Sequence, residues 1–99
     1  MVIIIVKASV KKENVSLFEE RLELVANVAK KLDGCNTYEW YEHPKEANSY
    51  TVYGEFSSID TFKKYKKSSV VEMIVDLLIP LMTTKPSFKH FHAEIFEQG

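Results

Sequence analysis

Residues 34–44 have the sequence GCNTYEWYEHP, and this segment indicates more about the architecture than any other part of the 99-residue chain. Gly34 follows an amphipathic helical pattern and predicts the end of that helix. Cys35–Glu42 predicts a β-strand rich in aromatic residues, and Pro44 predicts the turn that follows it. A second aromatic strand is predicted at Ser49–Phe56. Because the loop between the two strands is short, they are expected to pair as an antiparallel hairpin.

The hairpin carries more aromatic surface than a small sheet needs to hold together, which predicts a ring-lined pocket. Periodicity places Tyr50, Val52 and Phe56 on one side of the second strand and Tyr53 on the other. It does not indicate which side faces the helices. These rings can also belong to the core or to an interface between copies. The six aromatic residues of the hairpin are Tyr38, Trp40, Tyr41, Tyr50, Tyr53 and Phe56.

The segment before the hairpin predicts a central strand and one long helix. Residues 2–10 are β-branched and almost continuously apolar, which is typical of a strand covered on both faces. Asn14 is a suitable N-cap for the helix. An apolar stripe then recurs at spacings of three and four over roughly five turns. It comprises Val15, Phe18, Leu22, Val25, Ala29 and Leu32.

The segment after the hairpin predicts two short helices and a last strand. Serine residues can cap both helices, and Pro80 is expected to end or kink the second. Residues 88–96 alternate well enough for a final strand. The candidate caps are Ser57 or Ser58 and Ser68 or Ser69, and the inward residues are Ile59, Phe62 and Tyr65, then Met73, Ile74, Leu77, Leu78 and Leu81.

The predicted order is strand, helix, strand, strand, helix pair, strand. This is the βαββαβ arrangement of the ferredoxin-like fold, an α+β sandwich in which helices cover one face of a four-stranded antiparallel sheet. The length fits a single domain over residues 1–99. The other face of the sheet is too apolar for free exposure, so we expect a second copy to pack against it in a homodimer.

Composition excludes several classes of function. The chain has 13 basic and 14 acidic residues and a net charge of −1, so nucleic acid is not an expected partner. The apolar run at residues 2–6 is too short for a signal peptide or a membrane span, so we expect a cytoplasmic protein with no membrane partner. The single Cys35 excludes an internal disulfide. The widely spaced glycines argue against a bound nucleotide or flavin. A basic run, typical of a solvated helix face, comprises Lys63, Lys64, Lys66 and Lys67.

The ordered set of segments resembles the antibiotic biosynthesis monooxygenase family, over nearly the whole chain. The resemblance rests on the opening strand, on Gly34-Cys35 at the end of the long helix, and on Tyr38-Glu39-Trp40-Tyr41, which is similar to the family's Tyr-Glu-Leu-Tyr type of segment. It continues with the proline turn, with Phe56 where tryptophan is common, and with Ser68 near the end of a helix. The resemblance implies a dimeric α/β barrel of ferredoxin-like protomers. It also implies oxidation of phenolic or quinol-like rings by oxygen, often with no metal or prosthetic group, so we expect no cofactor.

Two stretches depart from the family pattern. Many members have His-x-x-Ser-x-His-Phe where this chain has Tyr65 at the first histidine, Ser68 at the serine and Val70 at the second histidine. Gly54 stands where a glutamate is often found.

Three hypotheses therefore stay open. The first is oxidation of a quinol-like or polyphenolic compound, and the second is a non-catalytic dimeric module that binds or senses a small aromatic molecule. The third is haem binding or degradation, since haem-degrading relatives share the fold.

Tyr65 and His92 are the predicted catalytic residues. A phenol titrates at about pH 10, so Tyr65 would donate a hydrogen bond at neutral pH, whereas a histidine can act as a general base. His90 and His92 share one side of the last strand with Glu94, so they could instead bind a metal, or lie at the surface or a dimer interface. The predicted ligand-binding residues, each of which could equally be structural, are Tyr38, Trp40, Phe56, Phe62, Ser68, Met73 and His90.

Overall fold

The computed structural model describes all 99 residues, and its elements follow the predicted βαββαβ order. The strands are β1 (Val2–Ser9), β2 (Cys35–Glu42), β3 (Ser49–Phe56) and β4 (Ser87–His92). The helices are α1 (Val15–Ala29), α2 (Ile59–Lys66) and α3 (Ser69–Met73), and α3 continues into a π-helical turn (Ile74–Leu78) and a 3-10 turn (Ile79–Leu81). None of the helices combines the length and the apolar character that crossing a bilayer requires.

The four strands form one antiparallel sheet in the order β2-β3-β1-β4. Strand β1 lies in the middle, because it pairs with β3 on one side and with β4 on the other. Val6 of β1, for example, lies opposite Val52 of β3 and Phe88 of β4. The prediction of a ferredoxin-like α+β fold is confirmed.

Every second residue of the two inner strands is buried beneath the helices. These rows are Val2, Ile4, Val6 and Ala8 in β1, and Tyr50, Val52, Gly54 and Phe56 in β3. The opposite rows, which include Ile3, Ile5 and Tyr53, are only half-buried. Alternation in the sequence does not indicate which side of β3 faces the helices. Burial shows that Tyr50 and Phe56 lie on the helix face. The second face of β1 is not covered within one chain, so the expected cover of both faces stays a prediction.

Helix α1 packs its apolar stripe onto the sheet, as predicted. Its buried residues are Phe18, Leu22, Val25, Ala26 and Ala29. The helix ends at Ala29 after about four turns, not five, and Leu32 lies in the loop that follows. Asn14 occupies the N-cap position, but its side chain makes no capping hydrogen bond. Its φ of −102° and ψ of 2° place it at the end of a 3-10 turn (Lys12–Asn14), outside the extended conformation that an N-cap side chain needs.

Gly34 lies in the loop between α1 and β2, beyond the end of α1 rather than at it. Its φ of +75° is a left-handed conformation that glycine adopts without strain. A Cβ at this position would lie 2.5 Å from side-chain atoms of Thr61 in α2. The Gly34 carbonyl also accepts a hydrogen bond from the Ser57 amide at 2.8 Å. The role of Gly34 is therefore to let this loop approach the N-terminus of α2, and the prediction that it ends α1 is wrong.

Ser58 and Ser68 cap the two short helices. Ser58 forms a capping box with Thr61, and the Ser68 hydroxyl accepts from the Val70 amide. Tyr65 points inward as predicted, but Ile59 is 46% exposed. The prediction for Ile59 is wrong because, at about 100° per residue, Ile59 lies about 120° around the helix from Tyr65. In the second helical segment, the expected effect of a proline is confirmed by the change to a 3-10 turn at Pro80.

Strand β4 is shorter than predicted and lies at the edge of the sheet. It ends at His92 rather than at residue 96. Just beyond the two strands, the Ala93 amide donates a hydrogen bond to the Met1 carbonyl at 2.8 Å. The pairing of β4 with β1 ends where Val2 lies opposite His92. All six residues of β4 are exposed.

Candidate functional site

An apolar cavity of about 180 Å³ lies between the β1–β4 side of the sheet and the helical segments that follow β3. Ile4 and His90, which are opposite each other in the β1–β4 register, form part of its floor. The remaining wall comes from Tyr65 and Lys66 of α2, from Val71, Ile74, Val75 and Ile79 of the segment after it, and from Phe88 of β4. Apolar walls with a few polar groups are the usual form of a small-molecule site.

Tyr65 forms the back of this cavity, and its hydroxyl is bonded to that of Tyr38. The two phenol oxygens are 3.0 Å apart. Tyr65 is 5% exposed and lines the cavity, whereas Tyr38 is 1% exposed and does not. Burial raises the pKa of both phenols, and for Tyr38 the neighbouring Tyr65 raises the pKa further. Both residues are therefore protonated at neutral pH and can donate hydrogen bonds.

Gly54 makes room for the ring of Tyr38. It lies opposite Tyr38 in the β2–β3 register. A Cβ added at Gly54 would lie 3.0 Å from Cδ2 and 3.3 Å from Cε2 of that ring. The ring thus occupies the space that a side chain at position 54 would take. A glutamate here, as in the family pattern, would require the Tyr38 ring to move by a few tenths of an ångström.

His90 is the only histidine on the cavity wall. Its imidazole packs edge-on against Phe62 of α2, with ring centroids 5.0 Å apart, and it keeps access to solvent. His90 is exposed on one side, and partial burial of its imidazole against the cavity wall lowers its pKa, which the nearby Lys66 ammonium lowers further. Lys66 Nζ in turn lies 5.6 Å from the centroid of the Phe62 ring. At neutral pH the imidazole is neutral, so it can accept a proton.

Four other predicted ligand-binding residues pack around Tyr65 or against the core. Phe56 packs against Tyr65 with ring centroids 4.8 Å apart, and Phe62 stacks on it at 6.2 Å. The Ser68 hydroxyl donates to the Tyr65 carbonyl at 2.7 Å and so fixes the end of α2. Met73 is partly buried against the core. None of these four lines the cavity, so their roles as ligand-binding residues stay predictions.

Trp40 and His92 lie away from the cavity wall. Trp40 packs against Tyr50, with centroids 6.0 Å apart, and its indole N–H donates to Glu23 at 3.0 Å. His92 lies at the end of β4 opposite Val2 and is exposed. The structure brings together Tyr65 and His90 but brings neither Trp40 nor His92 to them. The catalytic role of His92 and the ligand-binding role of Trp40 stay predictions.

Sequence reasoning missed most of the apolar wall. Val71, Val75 and Ile79 recur at a spacing of four, on a different side of the helical segment from the core residues Val70, Ile74 and Leu78. The available signal was an apolar stripe wider than the core needs, since Val71 and Ile79 are only partly buried against the core and Val75 is exposed. Lys66 was assigned to a solvated face, and its side chain is exposed, yet it also borders the cavity.

Other chemistry has less structural support. His90, His92 and Glu94 do not form a metal site, since Glu94 lies beyond β4 and no group of three or more His, Cys, Asp or Glu side chains could hold a metal ion. Cys35 is half-buried, and burial raises the pKa of its thiol, so it is not an activated nucleophile. A polar depression of about 210 Å³ near Lys7, His43 and Lys85 contains none of the predicted site residues.

Comparisons with known proteins agree with this architecture. The family model described as antibiotic biosynthesis monooxygenase matches residues 1–94. No protein with a curated description matches the chain in sequence.

Solved structures with the same fold come from several organisms. A candidate antibiotic biosynthesis monooxygenase from Deinococcus radiodurans superposes with a TM-score of 0.88 at 20% identity, and 100% of each chain is covered. A similar candidate from Caulobacter crescentus gives a TM-score of 0.87 at 19% identity, covering 95% of this chain and 90% of that one. A conserved protein from Methanosarcina mazei gives 0.86 at 18% identity, covering 94% and 92%. At these identities the likeness concerns the fold.

Proposed function

The chain belongs to the antibiotic biosynthesis monooxygenase family, and we propose that it is a monooxygenase that oxidises a small quinol-like or polyphenolic compound with molecular oxygen. The observation that carries the proposal is the joint placement of Tyr65 and His90 on the wall of one apolar cavity. A phenol reacts with oxygen much faster as its anion than as the neutral molecule. Such a reaction needs a base, a ring-shaped apolar space and a hydrogen-bond donor. The cavity offers a candidate for each.

His90 is the group best suited to remove the substrate proton. Its pKa is lowered by burial and by Lys66, so the neutral form that accepts a proton predominates at neutral pH. The Lys66 ammonium would then favour the substrate anion through its opposite charge. Tyr65, whose pKa is raised, keeps its proton and acts as a donor. His92 remains a second predicted base, tested below.

The proposed reaction is balanced without an added reductant. His90 removes a hydroxyl proton from the quinol, and the anion transfers one electron to oxygen. The ring radical and superoxide then combine, which forms a C–O bond at a ring carbon. His90 returns its proton to the peroxide, the ring carbon loses its hydrogen, and the O–O bond breaks, so that one oxygen atom stays on the ring and the other leaves as water. For a benzene-1,4-diol the products are a hydroxyquinone and water, and the substrate supplies all the electrons.

The cavity volume limits the size of the substrate. At about 180 Å³ it is close to an engineered cavity of about 150 Å³ that holds benzene. It is smaller than the ~300 Å³ at the lower end of pockets for drug-sized ligands. We therefore expect a single ring to fit inside. A second ring would extend past Phe88 and Val75, which are about half exposed at the rim.

We further propose that the protein is a homodimer in which the two open sheet faces pack together. This face carries Ile3, Ile5 and Tyr53, all half-buried, and Phe91, which is 46% exposed. Removing such apolar surface from water stabilises an interface by about 25 cal/mol per Å². The cavity lies on the opposite, helix-covered face, so this interface leaves it open. The expected cytoplasmic location stays a prediction.

Oxygen uptake by the purified protein tests the proposed activity. The panel comprises benzene-1,4-diol, catechol, 1-naphthol and naphthalene-1,4-diol, measured on an oxygen electrode after dialysis against a chelator. We expect uptake above the spontaneous rate for at least the single-ring quinol, with no requirement for added metal or cofactor. No uptake above background across the panel would overturn the proposal.

Histidine variants assign the base. We expect His90→Gln to lower the initial rate by about 10²-fold or more, the usual contribution of a general base. The matched control is His43→Gln, in the loop between β2 and β3, which should leave the rate unchanged. If His92→Gln abolishes uptake while His90→Gln does not, His92 is the base and the assignment of His90 is wrong.

A second candidate function, a non-catalytic module that binds or senses a small aromatic ligand, is favoured by Val70. This residue stands where the family pattern has its second histidine, and it is fully buried in the core. Saturable binding of the panel compounds without oxygen uptake would support this function. A haem-related function has less support, because haem is larger than a drug-sized ligand and the cavity is smaller than drug-sized pockets. Titration with haemin, followed at the Soret band, tests it.

A further inference from the structure

The hydrogen bond between Tyr38 and Tyr65 leaves one phenolic proton without a protein acceptor. Two hydroxyl groups have two protons to donate, and only one of them can occupy the bond between the two oxygens. The 3.0 Å contact is the only hydrogen bond that either hydroxyl makes. The direction of this bond therefore determines which of the two residues presents the remaining proton.

The surroundings favour Tyr38 as the donor. The Tyr38 hydroxyl is enclosed in the core, where an unpaired donor costs free energy. The Tyr65 hydroxyl belongs to a residue that borders the cavity, where water or a ligand can accept its proton. When Tyr38 donates and Tyr65 accepts, the remaining proton is therefore on the Tyr65 hydroxyl, where it can be satisfied. In the opposite direction, the Tyr38 proton would have no acceptor inside the core.

The ring positions hold this arrangement in place. Gly54 lies beside the Tyr38 ring, and Phe56 packs on the Tyr65 ring at 4.8 Å. Neither ring is exposed by more than 5%, so neither can swing away without disturbing the core. The remaining freedom is rotation of the Tyr65 O–H about its C–O bond, and the hydrogen bond from Tyr38 restricts it.

We propose that Tyr38 is a positioning residue that directs the Tyr65 hydroxyl proton into the cavity, so that the cavity selects aromatic ligands with an acceptor oxygen beside the ring. This inference rests on the proposed function only in placing the ligand in this cavity. The ligand class that it defines is an aryl carbonyl or a phenolate, as opposed to a bare aromatic hydrocarbon. In the proposed reaction that acceptor is the oxygen from which His90 has removed the proton, or the second oxygen of the quinol.

Binding of a matched ligand pair tests the inference without any turnover. Acetophenone has a carbonyl acceptor, and α-methylstyrene is its near-isostere with a methylene group in place of the oxygen. Neither ionises near neutral pH, and neither is a quinol. We expect Tyr65→Phe to weaken acetophenone binding about fivefold to tenfold, the value of one hydrogen bond, and to change α-methylstyrene binding less than about twofold. Tyr38→Phe should weaken acetophenone binding by an intermediate factor. Tyr53→Phe, on the open face, is the matched control and should change neither.

The infrared carbonyl stretch of bound acetophenone separates positioning from a merely structural effect. We expect a lowered frequency in the wild type, a hydrocarbon-like frequency in Tyr65→Phe, and a broadened or doubled band in Tyr38→Phe, where the Tyr65 proton can turn either way. An unchanged band in Tyr38→Phe would overturn the role of Tyr38. An equal frequency in the wild type and Tyr65→Phe, or no acetophenone binding to the wild type, would overturn the inference altogether. If the predicted binding pattern is found but no quinol is oxidised, the inference stands and the proposed activity fails.

Discussion

The phenol oxygens of Tyr38 and Tyr65 lie 3.0 Å apart, so a single buried hydrogen bond joins strand β2 to helix α2. The two rings are tilted by 52° with centroids 6.0 Å apart. Tyr38 is enclosed by the core, and Tyr65 borders the cavity. This asymmetry makes the two hydroxyl groups unequal in both stability and ligand binding.

Removal of the Tyr65 hydroxyl should destabilise the fold more than removal of the Tyr38 hydroxyl. In Tyr65→Phe the buried Tyr38 hydroxyl loses its only partner, which costs about 1–3 kcal/mol. In Tyr38→Phe the Tyr65 hydroxyl can turn to water in the cavity, so the loss should be about 0.5–1 kcal/mol. Urea unfolding followed by far-UV circular dichroism measures both values.

The control for this comparison is Tyr53→Phe. The Tyr53 hydroxyl donates to Glu55 at 2.9 Å on the open face of the sheet, and its loss should cost less than about 0.5 kcal/mol. The Tyr38→Phe/Tyr65→Phe double variant should lose less than the sum of the single losses, because no unpaired hydroxyl is left. Equal losses in the two single variants would contradict the placement of Tyr38 as the enclosed partner.

The lowered pKa of His90 predicts the pH dependence of oxidation. Burial and then Lys66 disfavour the imidazolium and lower the pKa of His90, so His90 stays a neutral base to a lower pH than an ordinary histidine. We expect kcat/KM to rise with pH through an apparent pKa below the ordinary value of about 6.5 for histidine, and to be level from about pH 7 to pH 8. The charged and titratable groups that face His90 in the cavity are Lys66 and Tyr65, and Tyr65 keeps its proton in this range.

Replacement of Lys66 tests the cause of that shift. Lys66→Met removes the repulsion between the ammonium and the imidazolium, so the pKa of His90 should rise toward 6.5. Proton NMR of the imidazole C2 protons follows this titration, and His90→Gln assigns the signal among the three histidines. The matched control is Lys67→Met, since Lys67 is exposed and does not line the cavity. A lower pKa in Lys66→Met, or an equal response to Lys67→Met, would contradict the proposed cause.

The sequence predicted the fold because apolar spacing and turn residues act locally. The hairpin bounds Cys35–Glu42 and Ser49–Phe56 are those predicted, since Gly34, Pro44 and Asn48 interrupt the chain on either side. The errors lie at ends that depend on distant partners. The last strand stops at His92, opposite Val2 where β1 begins, and no local pattern in residues 93–96 indicates this.

The candidate site was predicted only in part, because a cavity is a property of packing between elements. Tyr65 and His90 could be identified by residue type and by the resemblance. Tyr65 and His90 line the same cavity only because the β1–β4 register places His90 opposite Ile4. The role of Gly54 was also hidden, since alternation assigns it to a side of the strand but does not show that Tyr38 fills the space above it.

A charge at the centre of the open sheet face should prevent the proposed dimerisation. Ile5 lies in the middle of β1, on the face away from the helices, and Ile5→Lys would bury an unpaired ammonium in the interface. In sedimentation equilibrium we expect the wild type to have twice the 11.5 kDa mass of the chain, and Ile5→Lys to have the mass of one chain. Leu24→Lys is the control, because Leu24 is exposed on α1, outside this face. A monomeric wild type at micromolar concentration would contradict the homodimer.

Gly34→Ala should be among the most destabilising of the conservative changes, for two separable reasons. The φ of +75° costs an alanine about 1–2 kcal/mol, and the new Cβ would lie 2.5 Å from Thr61, which requires α2 to move. Asn48 isolates the first cost, because it also has a left-handed backbone, with φ of 60°. We expect Asn48→Ala to lose about 1 kcal/mol and Gly34→Ala at least about 2–3 kcal/mol in urea unfolding. Gly34→Asn should recover part of the backbone cost but not the contact with Thr61. If Gly34→Ala loses no more than Asn48→Ala, the close approach between this loop and α2 does not limit stability.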